Sequence, residues 1–271
     1  MSIFEAIVFG LIQGLTEFLP VSSSGHLALF KHLFGVDFEK FGMSFDVALH
    51  LATIVAVIVV LRKDIWELLK KPFQKTTLYL IIATIPAAVI GVLFNDAVGG
   101  LGEILWLVGV FFLITGGILF LSDKMSKGDQ AKKRSMEDMC MKDAIFAGVA
   151  QAVGVLPGIS RSGSTISGGL ISGMSRDGAT RFSFLMSIPI ILGSCLFDLL
   201  DIVTGEVAVD STIIVPTLVG MVVAGISGYL ACRFMLDYIR KKGMKIFVYY
   251  MLGIGVFTIV WDLLISKLLA A

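Results

Sequence analysis

The feature that most constrains this sequence is a series of apolar stretches, each long enough to cross a lipid bilayer as a helix. A hydrocarbon core about 30 Å thick needs roughly 20 apolar residues per helix, within a range of about 17 to 25. Six stretches meet this requirement: 45–61, 76–94, 104–121, 180–200, 211–231 and 246–265. The sequence is 56% hydrophobic and 16% charged with a net charge of +1, which favours a multi-pass membrane protein and gives no reason to expect a nucleic-acid partner.

Two further apolar regions, 3–34 and 143–174, are interrupted near their middles by Pro, Gly and a cluster of Ser. A regular helix cannot run through such a segment without losing backbone hydrogen bonds. We therefore predict that each region is a helical hairpin that enters the membrane and leaves it on the same side. The predicted fold class is an all-α polytopic membrane protein with six transmembrane helices and two re-entrant helical hairpins.

The distribution of Lys and Arg between the connecting segments predicts the orientation of the chain. Segments 62–75, 122–142 and 232–245 carry five, six and five Lys or Arg residues, whereas 95–103 and 201–210 carry none. Since positively charged loops stay in the cytoplasm, the first three segments are predicted to be cytoplasmic and the other two to lie outside. The first hairpin would then begin and end outside, and the second would begin and end in the cytoplasm.

The two hairpins also match each other in sequence at a constant shift of 138 residues. Two halves of opposite orientation are the pattern of an inverted-topology repeat. The chain is predicted to be a single membrane domain, 1–271, with a first repeat at 1–121, a cytoplasmic linker at 122–142 and a second repeat at 143–271. Matched pairs include Glu5 with Asp143, Gly10 with Gly148, Gln13 with Gln151, Ser22 with Ser160 and Gly25 with Gly163.

Chemically useful side chains gather at the two hairpin tips. Non-helical backbone at membrane depth is tolerated only inside the protein or beside a wet cavity, so the tips are predicted to meet there. Gln13 and Glu17 are four residues apart and share one face of a helix. The candidate residues are Gln13, Glu17, Ser22, Ser23, Ser24, Gly25 and His26 in the first tip and Ser160, Arg161, Ser162, Gly163 and Thr165 in the second.

These residue types suit phosphoryl transfer. The guanidinium of Arg161 presents a rigid fork of donors that matches a phosphate. Backbone N–H groups around Gly25 and Gly163 would add an anion-binding nest. His26 can carry a proton or attack phosphorus. Glu17 can bind a divalent cation, or orient His26 or a water molecule. Such a site in a lipid-embedded fold predicts that the phosphate arrives on a lipid tail.

The runs QGLTEFLPVSSSGH at 13–26 and PGISRSGSTISGG at 157–169 resemble the two signature motifs of the bacterial undecaprenyl-diphosphate phosphatase family, whose members confer bacitracin resistance. The resemblance extends over essentially the whole chain. It implies hydrolysis of undecaprenyl diphosphate to undecaprenyl phosphate and phosphate at the outer face of the bacterial plasma membrane. This reaction would recycle the lipid carrier of peptidoglycan synthesis.

The resemblance also implies roles for particular residues. The family's essential His and Arg fall on His26 and Arg161, and its proposed serine nucleophile falls on Ser23. Its paired acidic motif falls on Gln13 and Glu17, so Glu17 is the one carboxylate of the pair and the expected ligand of a divalent cation, Mg²⁺ or Ca²⁺. In this scheme Arg161 and the tip amides hold the diphosphate, Ser23 or His26 attacks the terminal phosphorus, and the other acts as base. The expected substrate-binding shell is Gln13, Ser22, Ser24, Gly25, Ser160, Ser162, Gly163 and Thr165.

A transporter or flippase of an isoprenyl phosphate lipid is the alternative function, because secondary transporters also use inverted repeats with broken helices. The feature expected to separate the two is a pairing of Ser23 with His26, which catalysis uses and binding does not need. A non-catalytic lipid-binding module is a weaker alternative, and Ser162 and Ser164 could equally serve close helix packing. The expected partners are the lipid substrate and the bilayer, and homodimer formation is left open.

Overall fold

The computed structural model describes residues 1–36, 38–128, 130–204 and 211–265. These residues form helices and turns and contain no β-strand, which confirms the predicted all-α class. In chain order the α-helices are α1 (Ile3–Phe18), α2 (Ser23–Leu33), α3 (Phe38–Val60), α4 (Arg62–Lys70), α5 (Lys75–Glu103), α6 (Leu105–Met125), α7 (Met141–Val153), α8 (Arg161–Ser172), α9 (Arg176–Thr204), α10 (Ile214–Lys242) and α11 (Lys245–Val260).

Several of these helices have the length and composition of membrane spans. A sixth candidate is the pair α3 and α4, in which Ser44–Val60 joins Arg62–Lys70 across a bend of 79°. The chain is therefore a multi-pass membrane protein with five to six candidate spans in its described part. The five unbroken candidates are Lys75–Phe94, Leu105–Met125, Arg176–Phe197, Ile214–Lys242 and Lys245–Leu264.

All five segments predicted as loops contain helix. α6, α9 and α10 end at Met125, Thr204 and Lys242, inside 122–142, 201–210 and 232–245. Segment 62–75 holds α4, and segment 95–103 continues α5 beyond a kink at Phe94, where φ is −129° and ψ is 22°. Charge indicates that a segment lies outside the hydrocarbon, but it does not exclude a helix, since surface helices are also charged. In the predicted outer segment 201–210, everything after Thr204 lies outside the described residues.

Each hairpin returns towards the place where it starts. In the second hairpin, Asp143 in the first turn of α7 accepts a 2.6 Å hydrogen bond from the hydroxyl of Ser172 at the end of α8. Arg134 ties the same two points together by donating to Asp143 at 2.6 Å and to the Ser172 carbonyl at 2.7 Å. In the first hairpin, the ring of Phe9 in α1 packs edge-on against Phe34 after α2, with centroids 6.3 Å apart.

Local sequence explains where the first hairpin turns. A capping box starts α1: Ser2 Oγ accepts from the Glu5 N–H at 3.2 Å, and Glu5 Oε2 accepts from the Ser2 N–H at 2.6 Å. The helix ends before Leu19, which is extended as expected of a residue that precedes proline, here Pro20. Ser22 then acts as the N-cap of α2, so the chain reverses within a few residues.

Close backbone contacts hold the first helix of each hairpin against the rest of the fold. α1 packs on α10, and α7 packs on α5. A Cβ on Gly10 would lie 2.6 Å from the Gly220 carbonyl oxygen, and a Cβ on Gly148 would lie 2.9 Å from that of Ala83. Gly10 and Gly148 are one of the pairs matched in the sequence, and both sites leave no room for a side chain.

Replacing Gly14 by Ala is expected to destabilise the protein. The added Cβ would lie 2.0 Å from Ser227 Oγ and 2.5 Å from the Ala224 carbonyl oxygen, so α1 and α10 would have to separate. Overpacking of this kind costs about 1 to 3 kcal/mol, and it should appear as a lower thermal unfolding temperature in detergent. Gly117→Ala is the matched control, because no described atom lies within 4 Å of its added methyl. Equal unfolding temperatures for the two variants would contradict this packing.

Candidate active site

The two hairpin tips are joined by an ion pair. Arg161, the first residue of α8, places Nη2 2.5 Å from Oε1 of Glu17, near the end of α1. The two side chains are only 14% and 5% exposed. Burial costs both charges their hydration, and that cost must be offset by their mutual attraction and by further hydrogen bonds to each group. Residues 144 positions apart thus meet as the sequence predicted, with Glu17 and Arg161 at the centre.

The other oxygen of Glu17 collects further donors from the first tip. Glu17 Oε2 accepts a 2.6 Å hydrogen bond from Ser23 Oγ and a 3.0 Å hydrogen bond from Gln13 Nε2. Ser23 is the first residue of α2, so the first residues of both returning helices, Ser23 and Arg161, are bound to one carboxylate. A serine hydroxyl that donates to a carboxylate has a base in position to take its proton.

Two buried polar atoms at this centre have no partner in the described part of the chain. They are Gln13 Oε1 and Arg161 Nη1. Leaving a buried donor or acceptor unpaired costs about 1 to 3 kcal/mol, more for a charged group. The donor, Arg161 Nη1, is available to an anionic oxygen of a ligand. The acceptor, Gln13 Oε1, is available to a cation bound together with that ligand.

The starts of α2 and α8 are built alike. Ser22 Oγ accepts from the Gly25 N–H at 3.4 Å, and Ser160 Oγ accepts from the Gly163 N–H at 3.0 Å. These two N–H groups, predicted to bind an anion, therefore already have serine partners. Ser22 has φ 68°, a left-handed conformation that is uncommon outside glycine. Such a strained residue persists only where its surroundings hold it.

Serine hydroxyls join the second tip to the first. Ser162 Oγ donates to the Leu19 carbonyl at 2.9 Å, and it lies 3.2 Å from Ser160 Oγ. The exposed hydroxyl of Ser24 lies 3.4 Å from that of Ser22. Between the tips is a cavity of about 40 Å³, room for a few water molecules. It is lined by Thr16, Glu17, Ser22, Ser23, Ser24, Gly154, Ile159, Ser160, Arg161 and Ser162.

His26 does not line this cavity. Its Nδ1 lies 2.8 Å from the Ser22 carbonyl oxygen, and its Nε2 lies 2.7 Å from the Tyr250 hydroxyl on α11. A carbonyl only accepts, so in the neutral ring Nδ1 carries the proton and Nε2 accepts from Tyr250. Among the described contacts, none joins His26 to Ser23 directly. The predicted pairing of these two side chains is absent, and the link between them runs through the backbone of Ser22.

Three predicted site residues serve packing instead of facing the cavity. Thr165 Oγ1 donates back to the Arg161 carbonyl at 2.8 Å and lies 2.5 Å from Ser183 Oγ on α9. A Cβ on Gly25 would lie 2.5 Å from the Phe112 ring, and one on Gly163 would lie 3.1 Å from Ser160. Thr165, Gly25 and Gly163 therefore set the positions of the helices that carry the site.

Sequence reasoning missed two residues that hold the tips. Tyr250 bonds His26, and Thr115 on α6 binds the second tip twice: its hydroxyl donates to the Gly158 carbonyl at 3.2 Å and accepts from the Ser160 N–H at 3.2 Å. Both lie in long apolar helices far from the motifs in sequence. A single polar residue in such a helix carries no signal about which distant tip it will contact.

The donor set around Glu17 can be tested against the expected divalent cation. No group of three or more His, Cys, Asp or Glu side chains that could hold a metal occurs among the described residues. Glu17 and the unpaired Oε1 of Gln13 supply two oxygen ligands on one helix face. That number suits Mg²⁺, which is usually bound by one or two carboxylates together with substrate phosphates. The residues therefore fit a cation shared with a phosphate ligand.

Comparison with known proteins gives a consistent result. A family model described as bacitracin resistance protein BacA matches residues 6–257. A Carboxydothermus hydrogenoformans protein named undecaprenyl-diphosphatase is 42% identical over 256 residues, which cover 94% of this chain and 96% of that protein. Undecaprenyl-diphosphatase 4 of Bacillus cereus strain ZK / E33L is 40% identical over 257 residues, which cover 94% of this chain and 96% of that protein. The Bacteroides fragilis undecaprenyl-diphosphatase is 42% identical over 268 residues, 96% of this chain and 98% of its own.

Proposed function

Because this chain belongs to the bacitracin resistance protein BacA family, we propose that it hydrolyses undecaprenyl diphosphate to undecaprenyl phosphate and inorganic phosphate. The relatives named undecaprenyl-diphosphatase match it over nearly their full length. As the family resemblance implies, this reaction recycles the lipid carrier of peptidoglycan synthesis. It also removes the lipid that bacitracin targets, which confers resistance to the antibiotic.

The observation that carries the proposal is the single carboxylate shared by a serine and an arginine. Glu17 accepts hydrogen bonds from Ser23 on one oxygen and from Arg161 on the other. A hydroxyl next to a base supplies a nucleophile, and a guanidinium beside it supplies a place for the phosphate that is attacked. Binding alone would not need the hydroxyl and the base to be in contact.

Substrate binding begins at Arg161. The cavity of about 40 Å³ holds only a few waters, so the diphosphate must open the contact between Arg161 and Glu17. Nη1 of Arg161 has no partner in the described chain and takes a terminal phosphate oxygen first. The two-pronged guanidinium then holds two oxygens of that phosphate, as it does with other oxyanions.

Phosphoryl transfer follows from the hydrogen bond between Ser23 and Glu17. As Ser23 Oγ attacks the terminal phosphorus, its proton passes to Glu17 Oε2, 2.6 Å away. The bond from this phosphorus to the bridging oxygen breaks, and undecaprenyl phosphate leaves with that oxygen. Water then attacks the phosphorus of the phosphoserine, the bond from Ser23 Oγ to phosphorus breaks, and Glu17 returns its proton to Ser23 Oγ. Inorganic phosphate leaves with the oxygen and protons of the water. Arg161 stabilises the charge that develops on the phosphate oxygens in both steps.

A divalent cation, Mg²⁺ or Ca²⁺, belongs to the same proposal. Glu17 and Gln13 Oε1 would hold it together with diphosphate oxygens. When bound, it would neutralise charge on the phosphates that Arg161 also contacts. Chelation by EDTA is therefore expected to lower turnover, and added Mg²⁺ or Ca²⁺ to restore it.

We propose that the membrane arrangement is six spans and two re-entrant hairpins in an inverted repeat, with the site open to the outer face. The return of both hairpins to their starting ends supports this arrangement, as do the paired contacts of α1 with α10 and of α7 with α5. In a variant without native cysteines, an impermeant thiol reagent added to whole cells should label Gly100→Cys and spare Lys63→Cys. The reverse pattern would contradict the proposed orientation.

The experiment that tests the function is phosphate release from undecaprenyl diphosphate by the purified protein in detergent. Detergent offers no two leaflets, so transport alone cannot produce phosphate. The native chain should release phosphate with Mg²⁺ or Ca²⁺ present, Glu17→Gln should not, and Glu67→Gln on α4 should behave as native. Folded native protein that releases no phosphate but moves the lipid between leaflets of vesicles would support the transporter instead.

Replacing Tyr250 by Phe is expected to lower kcat roughly tenfold while KM changes little. The variant leaves Nε2 of His26 without its hydrogen-bond donor, and an unpaired buried acceptor costs about 1 to 3 kcal/mol. Because Tyr250 acts through His26, the pH at half-maximal rate should also shift. Tyr249→Phe is the matched control, since Tyr249 is 63% exposed on the same helix. If the two variants have the same rate and pH profile, Tyr250 does not position His26.

A further inference from the structure

A large cavity in the described chain lies away from the hairpin tips. It has a volume of about 560 Å³ and is formed where α3 ends and α4 begins, beside the start of α9 and the last turns of α10. None of the tip residues lines it. The adjoining segments 62–75 and 232–245 are the basic ones, so the cavity lies at the face that the positive-inside rule assigns to the cytoplasm.

Cationic side chains predominate around this cavity. Of its carboxylates, Asp64 and Asp177 both lie within ion-pair distance of Arg181. Arg181 also lies 2.9 Å from Glu137 outside the cavity, and the charged side chains that line the cavity carry a net charge of +2. The charged residues that line the cavity are Arg62, Lys63, Arg181, Arg233 and Arg240 against Asp64, Asp177 and Asp237.

Three of the cations are free to receive a ligand. Arg62, Lys63 and Arg240 are exposed, and none of them makes a hydrogen bond or ion pair with the part of the chain that the structure describes. Within the described residues, Arg233 makes a single hydrogen bond, which it donates to the Tyr229 hydroxyl at 3.3 Å. Like charges that converge on one cavity repel each other, and an anion bound between them would relieve that repulsion.

The walls of the cavity indicate that the anion has an apolar body. Val59, Val60, Leu61 and Leu236 line it beside the charged groups. The adjacent helix α4 has no buried residue and bends 79° away from α3. Its Trp66 is 59% exposed, and a tryptophan beside lysines on such a helix is typical of the membrane interface. The cavity therefore opens where phospholipid headgroups lie.

We propose that this cavity binds the headgroup of an acidic phospholipid from the cytoplasmic leaflet, with its phosphate between Arg62, Lys63 and Arg240. Basic pockets at the cytoplasmic ends of membrane helices bind anionic lipid headgroups in this way. The apolar residues at the end of α3 receive the start of the acyl chains. The bound lipid fixes α4 against α10 at the face opposite the proposed active site.

Lipid binding by the purified protein tests this site. The protein in detergent is titrated with dioleoylphosphatidylglycerol or dioleoylphosphatidylcholine, and bound lipid is counted by native mass spectrometry. Native protein should bind dioleoylphosphatidylglycerol, the anionic lipid, at least tenfold more tightly than dioleoylphosphatidylcholine. The triple variant Arg62→Gln, Lys63→Gln, Arg240→Gln should lose roughly tenfold in affinity for it. Phosphate release in detergent should stay native, because none of the three residues lies at the tips.

A second triple variant, Lys71→Gln, Lys124→Gln, Lys127→Gln, removes the same charge from basic segments outside the cavity. An equal loss of lipid binding in this control would overturn the proposal, since general surface charge would then explain the affinity. Displacement of the lipid by an equal concentration of inorganic phosphate would assign the cavity to a soluble anion and also overturn it. If the first triple variant melts at a lower temperature, Arg240→Gln alone replaces it and should weaken binding in the same direction.

Discussion

Arg161→Lys is expected to lower kcat/KM for undecaprenyl diphosphate by about two to three orders of magnitude, the loss typical of removing one transition-state donor. Lysine keeps the positive charge that neutralises Glu17, so the buried pair does not become an unpaired carboxylate. It loses the planar fork, whose Nη2 binds Glu17 and whose Nη1 is free in the described chain. A single ammonium cannot hold two phosphate oxygens in the same geometry.

The measurement for Arg161→Lys is steady-state phosphate release, with thermal unfolding as the check on folding. Arg233→Lys is the matched control, because Arg233 is exposed on α10 and, in the part of the chain that the structure describes, bonds only to Tyr229. Its kcat/KM should stay within about twofold of native, the usual outcome for an exposed change far from the site. If Arg161→Lys retained native kcat/KM, positive charge alone would suffice and the proposed two-pronged contact would be wrong.

Ser23→Ala is expected to lower kcat by about three orders of magnitude and to leave KM nearly unchanged. The variant removes the hydroxyl that donates to Glu17 at 2.6 Å, while Arg161 and the other tip groups remain to bind substrate. Removing a nucleophile typically leaves the residual catalysis that binding and electrostatic stabilisation supply. Undecaprenyl phosphate is the first product, so its burst in the first turnover of the native protein should also disappear in the variant.

Ser24→Ala is the control for Ser23→Ala. Ser24 is the next residue of the same helix, is exposed, and lies 3.4 Å from Ser22 without contacting Glu17. Its kcat should stay within about threefold of native. Near-native turnover in Ser23→Ala, with loss of turnover in His26→Ala, would transfer the nucleophilic role to the histidine ring.

The helical fold could be predicted because membrane constraints act on local sequence. Runs such as 104–121 have few alternatives to a helix, since lipid cannot satisfy the backbone. The breaks at Pro20 and Pro157 likewise mark the hairpin tips, and serine, which stands at 22 and 160, is a residue type common at N-caps. Charge in 62–75 identified a surface segment but could not distinguish a loop from the amphipathic helix α4.

The centre of the site was predictable for a similar reason. The need to bury both tips brings Glu17, Ser23 and Arg161 together, and the structure joins all three. Which side chains pair there was not predictable. On α2, Ser23 and His26 are three residues apart, yet one binds Glu17 and the other binds Tyr250. Those partners come from α1 and α11, whose placement depends on packing contacts such as that between Gly14 and α10.

The central claim is that two hairpin tips form one phosphoryl-transfer site, and a double-mutant cycle on phosphate release tests it most directly. The native chain, Glu17→Gln, Arg161→Gln and the double variant are compared with undecaprenyl diphosphate in detergent. We predict that the native protein releases phosphate and that each single variant loses at least about a hundredfold in kcat/KM. The kcat/KM of the double variant should lie within about threefold of that of the worse single variant, because the effects of residues that act as a unit are not additive. A loss in the double variant equal to the product of the two single losses would contradict the account, as would native protein that releases no phosphate.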